Sequence, residues 1–419
     1  MKKIPVRFFA SAVLGLAVSF SSVDSLLAEP PPGTVPMIVA FGHGDRTTVS
    51  LDDGKTWIAN QYVEDGEPDD KRYSEHKMRS MGLAYDEGVF VKWVGWNGPV
   101  KISRSTDGAD WEVVADRDKG WAWSGAGANG VFLHDSGKSP YRSTDGGRSW
   151  ERAEPGVKVG HTSLLHGEGD RWIKYGDGKL AYSTDNAITW REGTLSDPEQ
   201  THCLKGRGAF GGGHFVIVGN RGADGGPGGP YLGCFSSDGG ETWRLSNEIE
   251  DRSSGVLWTG ERFLLYARNG TVYESGTGET WTKVEEDTSN VRGFGSFTRT
   301  DQGTFIAIEG GGGKPKAGTK TEVFRSKDGL NWEVVTFDAP GDQLAFVEFG
   351  YGENPEATLE PEPAEERTWT NSEGETFEGV YVSSEDETVT ILRAVDQREF
   401  QVPLSELSEG DREYVAGRE

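Results

Sequence analysis

Apolar and polar residues alternate along most of this chain in short runs, each closed by Gly, Asp, Asn or Ser. GLAYDEG (82–88), VFVKWVG (89–95), VKISRSTD (100–107) and WEVVA (111–115) form one such set. A period of two places successive side chains on opposite faces, which predicts β-strands joined by tight turns. The same cadence returns near the end in TFEGVYV (376–382), TVTILRA (388–394) and REFQVPL (398–404), predicting a second, smaller β region. Two stretches break the rhythm. FFASAVLGLAVSF (8–20) is continuously apolar, and NPEATLEPEPAEER (354–367) is rich in Pro and Glu without apolar periodicity. The second predicts an extended acidic linker over 351–366, separating a body at 36–350 from a module at 367–419.

A repeat organises the body. SLDDGKTW (50–57), STDGADW (105–111), STDGGRSW (143–150), STDNAITW (183–190), SSDGGETW (236–243), SGTGETW (275–281) and SKDGLNW (326–332) hold seven of the 14 Trp. Their leading Ser residues fall 38–55 residues apart, the length of one four-stranded blade. In such a turn a carboxylate and a hydroxyl bond local backbone groups, Gly supplies positive φ, and Trp packs back over the hairpin. Asp52, Asp107, Asp145, Asp185, Asp238 and Asp328 are therefore expected to be structural. Ala187 stands where other copies have Gly and Thr277 where they have Asp, so those turns are expected to be looser.

These segments resemble the Asp-box, or bacterial neuraminidase repeat, of sialidases, some endoglucanases, sortilin-type receptors and photosystem assembly factors. The resemblance implies an all-β chain with a seven-bladed β-propeller, six and eight blades being the alternative counts, and it is nearly silent on activity. The first blade lacks an inner strand, because MIVAFGH already matches the second position. DQLAFVEFG (342–350) has no blade of its own and is expected to complete the first, closing the ring.

Antiparallel strands put the blade-to-blade links and the turns between second and third strands on the face opposite the boxes. Three insertions project there: acidic 62–76 and Gly-rich 220–230 and 310–320. Counting back from the aromatic of each second strand places Arg79, Trp121, His161, Leu204 and Arg252 at the start of inner strands, with Arg292 beside the equivalent Val291. His202, Lys205 and Trp96 are neighbours on that face. Arg79, Trp96, Trp121, His161, His202, Arg252 and Arg292 are thus the candidate ligand-binding residues. Arg holds carboxylates bidentately and Trp stacks on sugar rings, so the expected ligand is a glycan or an extracellular protein. The plainer expectation is that these Arg residues pair with acids such as Asp251, while Trp121 fills the channel.

Charge narrows the partners. With 43 Lys+Arg against 68 Asp+Glu the formal charge is -25, which disfavours nucleic acid and anionic membrane surfaces. Lys2, Lys3 and Arg7 before the apolar run, and small residues up to Ala28, predict a signal peptide over 1–28 and a secreted or periplasmic product without membrane insertion. Cys203 and Cys234 are candidates for a disulfide there, unless first-strand and third-strand positions hold them apart. No cofactor and no metal site is expected: the seven His show no zinc spacing, and GGGH and GGGGK lack the context of a phosphate loop.

Sialidases add to this fold a three-Arg clamp, a Tyr nucleophile activated by Glu, and an acid/base Asp. Arg79, Arg252 and Arg292 resemble the clamp, but TVPMIVAFGHGD (34–45) carries no Arg where the family's Phe/Tyr-Arg-Ile-Pro motif stands. Tyr85 and Glu87 are near an inner strand without an assignable role, so no catalytic residue is named. Sialidase-type exo-glycoside hydrolysis is the alternative to non-catalytic recognition. The last segment, with RTWT (367–370), Gly374 and VPLSELSEGDREYV (402–415), resembles the SH3-like homology domain first described in an endocytic actin-patch adaptor. This implies a protein-interaction module whose final helix Ser408 caps.

Overall fold

The computed structural model describes residues 30–61, 80–95, 98–120, 124–135, 140–152, 157–160, 162–222, 228–285, 287–309, 321–337, 344–355, 366–385, 387–393 and 398–416. The expected signal peptide and most of the expected linker lie outside them. Contacts divide the chain into two units, residues 1–353 and 354–419.

Among the described residues of the first unit, seven antiparallel sheets succeed one another. The first orders Leu344–Gly352, Val35–Gly42, Thr47–Ser50 and Ile58–Gln61 from inside outward. The second runs Ser80–Asp86, Val89–Val94, Gly98–Ser105, Glu112–Gly120, and the third Ser124–Ala128, Val131–Asp135, Pro140–Ser143, Glu151–Arg152. The fourth is Ser163–His166, Trp172–Gly176, Lys179–Ser183, Arg191–Glu192. The fifth has Gly206–Gly211, His214–Gly219, Tyr231–Ser236 and Thr242–Ile249, with Thr194–Leu195 added in parallel outside. The sixth is Ser253–Trp258, Phe263–Ala267, Val272–Ser275, Thr282–Lys283, and the seventh Ser296–Arg299, Phe305–Ile308, Thr321–Ser326, Glu333–Phe337.

Each sheet buries an apolar face against the next. Phe41 and Val49 meet Leu83 and Phe90; Val91 and Trp93 meet Phe132; Leu133 meets Trp172. Ile173 meets Phe215 and Trp243; Val216 meets Phe263; Leu264 meets Phe305 and Phe324. The seventh returns to the first through Ile306 and Val323 against Ile38 and Leu344. This cyclic packing is that of a β-propeller, and each fully buried aromatic contributes about 2–3 kcal/mol of apolar transfer. Innermost strands must approach closely: a Cβ on Gly125 would run into the Trp93 ring.

The closing strand pairs with Val35–Gly42 as expected, shifted to 344–352. Two bonds join it to the last sheet, from Val347 N to Ser296 Oγ at 3.1 Å and from Phe349 N to Thr298 Oγ1 at 2.9 Å. On the box face the seam is charged. Asp53 accepts from Thr300 at 2.7 Å and Thr304 at 2.6 Å, and pairs with Arg325 at 3.0 Å. The Arg just before a box Ser repeats this clasp, its Nε donating to the next sheet's box: Arg104 to Gly146 O, Arg142 to Asn186 O and Arg325 to Asp53 O.

The boxes are hydrogen-bonded turns. Ser143 Oγ donates to Asp145 at 2.8 Å and accepts from Gly147 N at 3.0 Å, while Asp145 takes Ser149 N and Oγ. The other five Asp residues repeat the Ser–Asp bond. The Ala187 turn keeps this geometry at φ 63°, with its N–H 3.0 Å from Ser183 Oγ. The Thr277 turn loses the carboxylate, keeps the bond from Gly278 N to Ser275 Oγ at 2.8 Å, and has one 3.4 Å bond from Glu279 N to Thr277 Oγ1. Indoles of Trp111, Trp150, Trp243 and Trp332 donate to a box carbonyl. Those of Trp57, Trp190 and Trp281 find no acceptor among the described residues, a lack that the regular first copy shares with the two departing ones.

The second unit is a four-stranded antiparallel sheet, Glu366–Thr370, Thr376–Glu385, Thr388–Arg393 and Arg398–Pro403, with a helix at Glu409–Ala416. Trp369, Val389, Ile391, Leu407 and Val415 form its core. Ser408 Oγ accepts from Asp411 N at 3.2 Å and donates to Asp411 Oδ2 at 2.8 Å, which is the expected cap. No helix among the described residues is long and apolar enough to cross a membrane.

Candidate functional site

Arginines gather where the fifth, sixth and seventh sheets meet, on the face opposite the boxes. Topology puts them there. Asn220 and Arg221 follow the second strand of the fifth sheet, and Arg252 ends the link into the sixth. Arg268, Asn269 and Gly270 turn between second and third strands of the sixth, and Arg292 lies in the link to the seventh. Arg207 projects from the innermost strand of the fifth sheet.

Backbone bonds fix these segments to one another. Lys205 O accepts from Asn220 N at 3.1 Å, Asn220 O from Arg252 Nε at 2.9 Å, and Arg252 O from Arg268 N at 2.9 Å. Ser254 Oγ donates to Gly293 O at 2.7 Å. They enclose an open cavity of about 620 Å³, whose wall includes Arg207, Asn220, Arg268, Val291, Arg292 and Glu309. Arg252 and Arg221 stand beside it. Burial, and then the like charges of Arg268 and Arg221, push the Arg252 guanidinium below its ordinary pKa. Crowded cations of this kind mark a place where an anion relieves repulsion.

The expected pairing of Arg252 with Asp251 is not seen among the described residues. Asp251 accepts from Asn269 Nδ2 and from Tyr273 OH, both at 2.8 Å, and takes no Arg. Burial and then that carboxylate push Tyr273 up to about 12. Among the described residues Arg207, Arg221, Arg252 and Arg268 have no carboxylate partner. Arg292 faces Glu309 at 3.7 Å, with the two side chains 46% and 48% exposed, a pair that contributes little.

The expected residues divide three ways. Arg252 and Arg292 come together at this cavity. His202 is buried in a short 3-10 turn, Thr201–Leu204, and is absent from the wall. Burial, then Lys205, lowers its pKa, and its Nε2 has no partner among the described residues. Leu204 is equally buried and faces no ligand. Arg79, Trp96, Trp121 and His161 lie outside the described residues. Arg207, Arg221 and Arg268 were missed. The RNG turn at 268–270 was a legible signal, since such turns between second and third strands reach this face.

Tyr85 cannot serve as a nucleophile here. Its OH donates to Tyr351 O at 3.1 Å and accepts from Gly88 N at 3.0 Å, in a hairpin at the box end of the second sheet. No group of three metal-ligating side chains occurs among the described residues. Both cysteines are buried thiols in this structure. Cys203 sits in the 3-10 turn rather than on a first strand, so no strand separates it from Cys234.

No protein-family model and no curated sequence matches the chain. Among solved structures, YCF48 bound to a D1 peptide shares 14% identity over 67% of this chain and 92% of that one, at a TM-score of 0.47. A protein from Lactobacillus plantarum shares 9% over 75% and 99%, at 0.49. The GH74 xyloglucanase from Xanthomonas campestris shares 15% over 86% and 58%, at 0.46. At these identities and scores the likenesses carry nothing about ligand or reaction.

Proposed function

We propose that this chain is an exported, non-catalytic recognition protein: a seven-bladed Asp-box propeller that binds an acidic glycan or protein ligand in its arginine cavity, with a C-terminal SH3-like interaction module. Export rests on Lys2, Lys3, Arg7 and the apolar run that follows. Seven core clusters, one between each successive pair of sheets, support the blade count.

One observation carries the binding assignment. In a chain of charge -25, the guanidiniums of Arg207, Arg268 and Arg292 share the described wall with Glu309 as its one carboxylate, and Arg252 beside it feels the charges of Arg268 and Arg221. Guanidinium groups only donate hydrogen bonds. The hydroxyls of Ser253 and Ser254 are committed to backbone carbonyls. A wall so rich in donors and poor in acceptors suits carboxylate, sulfate or phosphate groups, and it serves the hydroxyls of a neutral sugar poorly. Aromatic platforms are missing from the described wall, which favours charge over ring stacking as the basis of selection.

The test is titration of immobilised polygalacturonate, poly-glutamate and neutral dextran with wild type and with the Arg207→Ala/Arg268→Ala double variant. Binding to an acidic polymer should weaken at least tenfold in the variant, since each charge-assisted bond contributes about 1.5–3 kcal/mol. It should also weaken at about 0.3 M salt, where the Debye length is short. Silence from both acidic polymers, or equal affinity of the two proteins, sinks the proposal.

A further inference from the structure

We infer that Cys203 and Cys234 are the two halves of an intrachain disulfide that fastens the turn behind the arginine cavity to the fifth sheet. Three observations meet at this pair. Both residues are fully buried, at 0% exposure, in one apolar cluster with Phe215, Ile217 and Trp243. Burial, and then the neighbouring Cys203 thiol, push the Cys234 thiol well above its ordinary pKa. The turn that carries Cys203 packs directly on the strand that carries Cys234, Tyr231–Ser236.

The position gives the bond a task. Cys203 belongs to a single 3-10 turn, a short element with few backbone bonds of its own. Lys205, which follows the turn, holds Asn220, and Asn220 O holds Arg252. A covalent tie at Cys203 therefore anchors the segment from which that chain of bonds begins.

The chemistry balances by exchange. The thiolate of one cysteine attacks a sulfur of a small-molecule or enzyme disulfide and expels one thiolate. The other cysteine, deprotonated, then displaces the second. Two protons are released by the cysteines and taken up by the two departing thiolates, and the two electrons pass to the external disulfide, which leaves as two thiols. Burial keeps Cys234 a thiol in the closed fold, its pKa raised well above the ordinary value. The exchange therefore belongs to folding, before the fifth sheet closes over the pair.

The full chain is unfolded in reductant, refolded in an oxidising glutathione buffer, denatured in iodoacetamide and weighed intact. The expected product carries no alkyl group and is about 2 Da lighter than the fully reduced chain, and reductant lowers its Tm by about 5 °C. The Cys203→Ser/Cys234→Ser variant should show a Tm indifferent to reductant, which separates the bond from general effects of the buffer. Two alkylated cysteines after oxidative refolding overturn the inference, as does a bonded chain whose Tm reductant leaves unchanged.

Discussion

Asp145 and Glu348 show how differently two carboxyls are treated in one fold. Asp145 is exposed; slight burial pushes its pKa up, but bonds from Ser149, Ser143 and Arg148 N outweigh that and hold it at about 2. The motif announced this, because Ser, Asp and a second hydroxyl at fixed offsets can only close a local turn. Glu348 lies on the innermost strand of the first sheet, flanked by Phe346 and Gly350 on its face, and burial pushes it up to about 8. Nothing in LAFVEFG distinguishes it from a surface Glu, since the desolvation comes from sheets distant in sequence. Its folded pKa exceeds the unfolded value of about 4.3, so its contribution is fully present below that value and is lost as pH rises through 8. Glu348→Gln should therefore leave stability unchanged at pH 4 and raise it by about 2 kcal/mol at pH 8, less than full linkage because the side chain stays partly wet. Denaturant melts at the two pH values check this; an equal effect at both refutes it.

At the scale of elements, the hairpins were written in the sequence and their joints were not. Period-two alternation and the boxes located nearly every strand, because both are local. The Asp53 clasp is a joint between first and last sheets, more than 240 residues apart along the chain. SLDDGKTW shows two adjacent Asp residues, and only tertiary structure separates their duties: Asp52 closes its own turn, whereas Asp53 takes Thr300, Thr304 and Arg325 across the seam. With the Asp53 side chain 4% and Arg325 11% exposed, Asp53→Ala strands a nearly buried guanidinium and two hydroxyls. The expected loss is about 3 kcal/mol by urea denaturation. Glu333→Ala removes the exposed partner of the same Arg325, its side chain 66% exposed, and should cost under about 1 kcal/mol. Equal losses would mean that the seam is not held by Asp53.

At the scale of the whole molecule, the ring depends on a strand delivered after the seventh sheet. Residues 344–352 supply the inner edge of the first sheet and accept packing from the seventh. A chain ending at Asn354 should keep the melting transition of the first unit and its binding of acidic polymer. A chain ending at Asp342 exposes the edge of Val35–Gly42 and the faces around Ile38 and Ile306, and should aggregate or melt without cooperativity. Circular dichroism melts of the two truncations measure this, and cooperative unfolding of the shorter chain would contradict it.

By itself the sequence determined the all-β character, the seven box turns, the displaced closing strand and the face opposite the boxes on which a site could lie. Each of these depends on local chemistry: alternation, a hydroxyl beside a carboxylate, glycine at positive φ. The sequence placed Arg252 and Arg292 on the face opposite the boxes, yet it left open whether acids neutralise them. That was decided only by the tertiary structure, in which Asp251 turns to Asn269 and Tyr273 while Arg207, Arg221 and Arg268 arrive from other segments. Pairing of charges is a matter of distances of a few ångströms between residues far apart in sequence, and no local pattern encodes it.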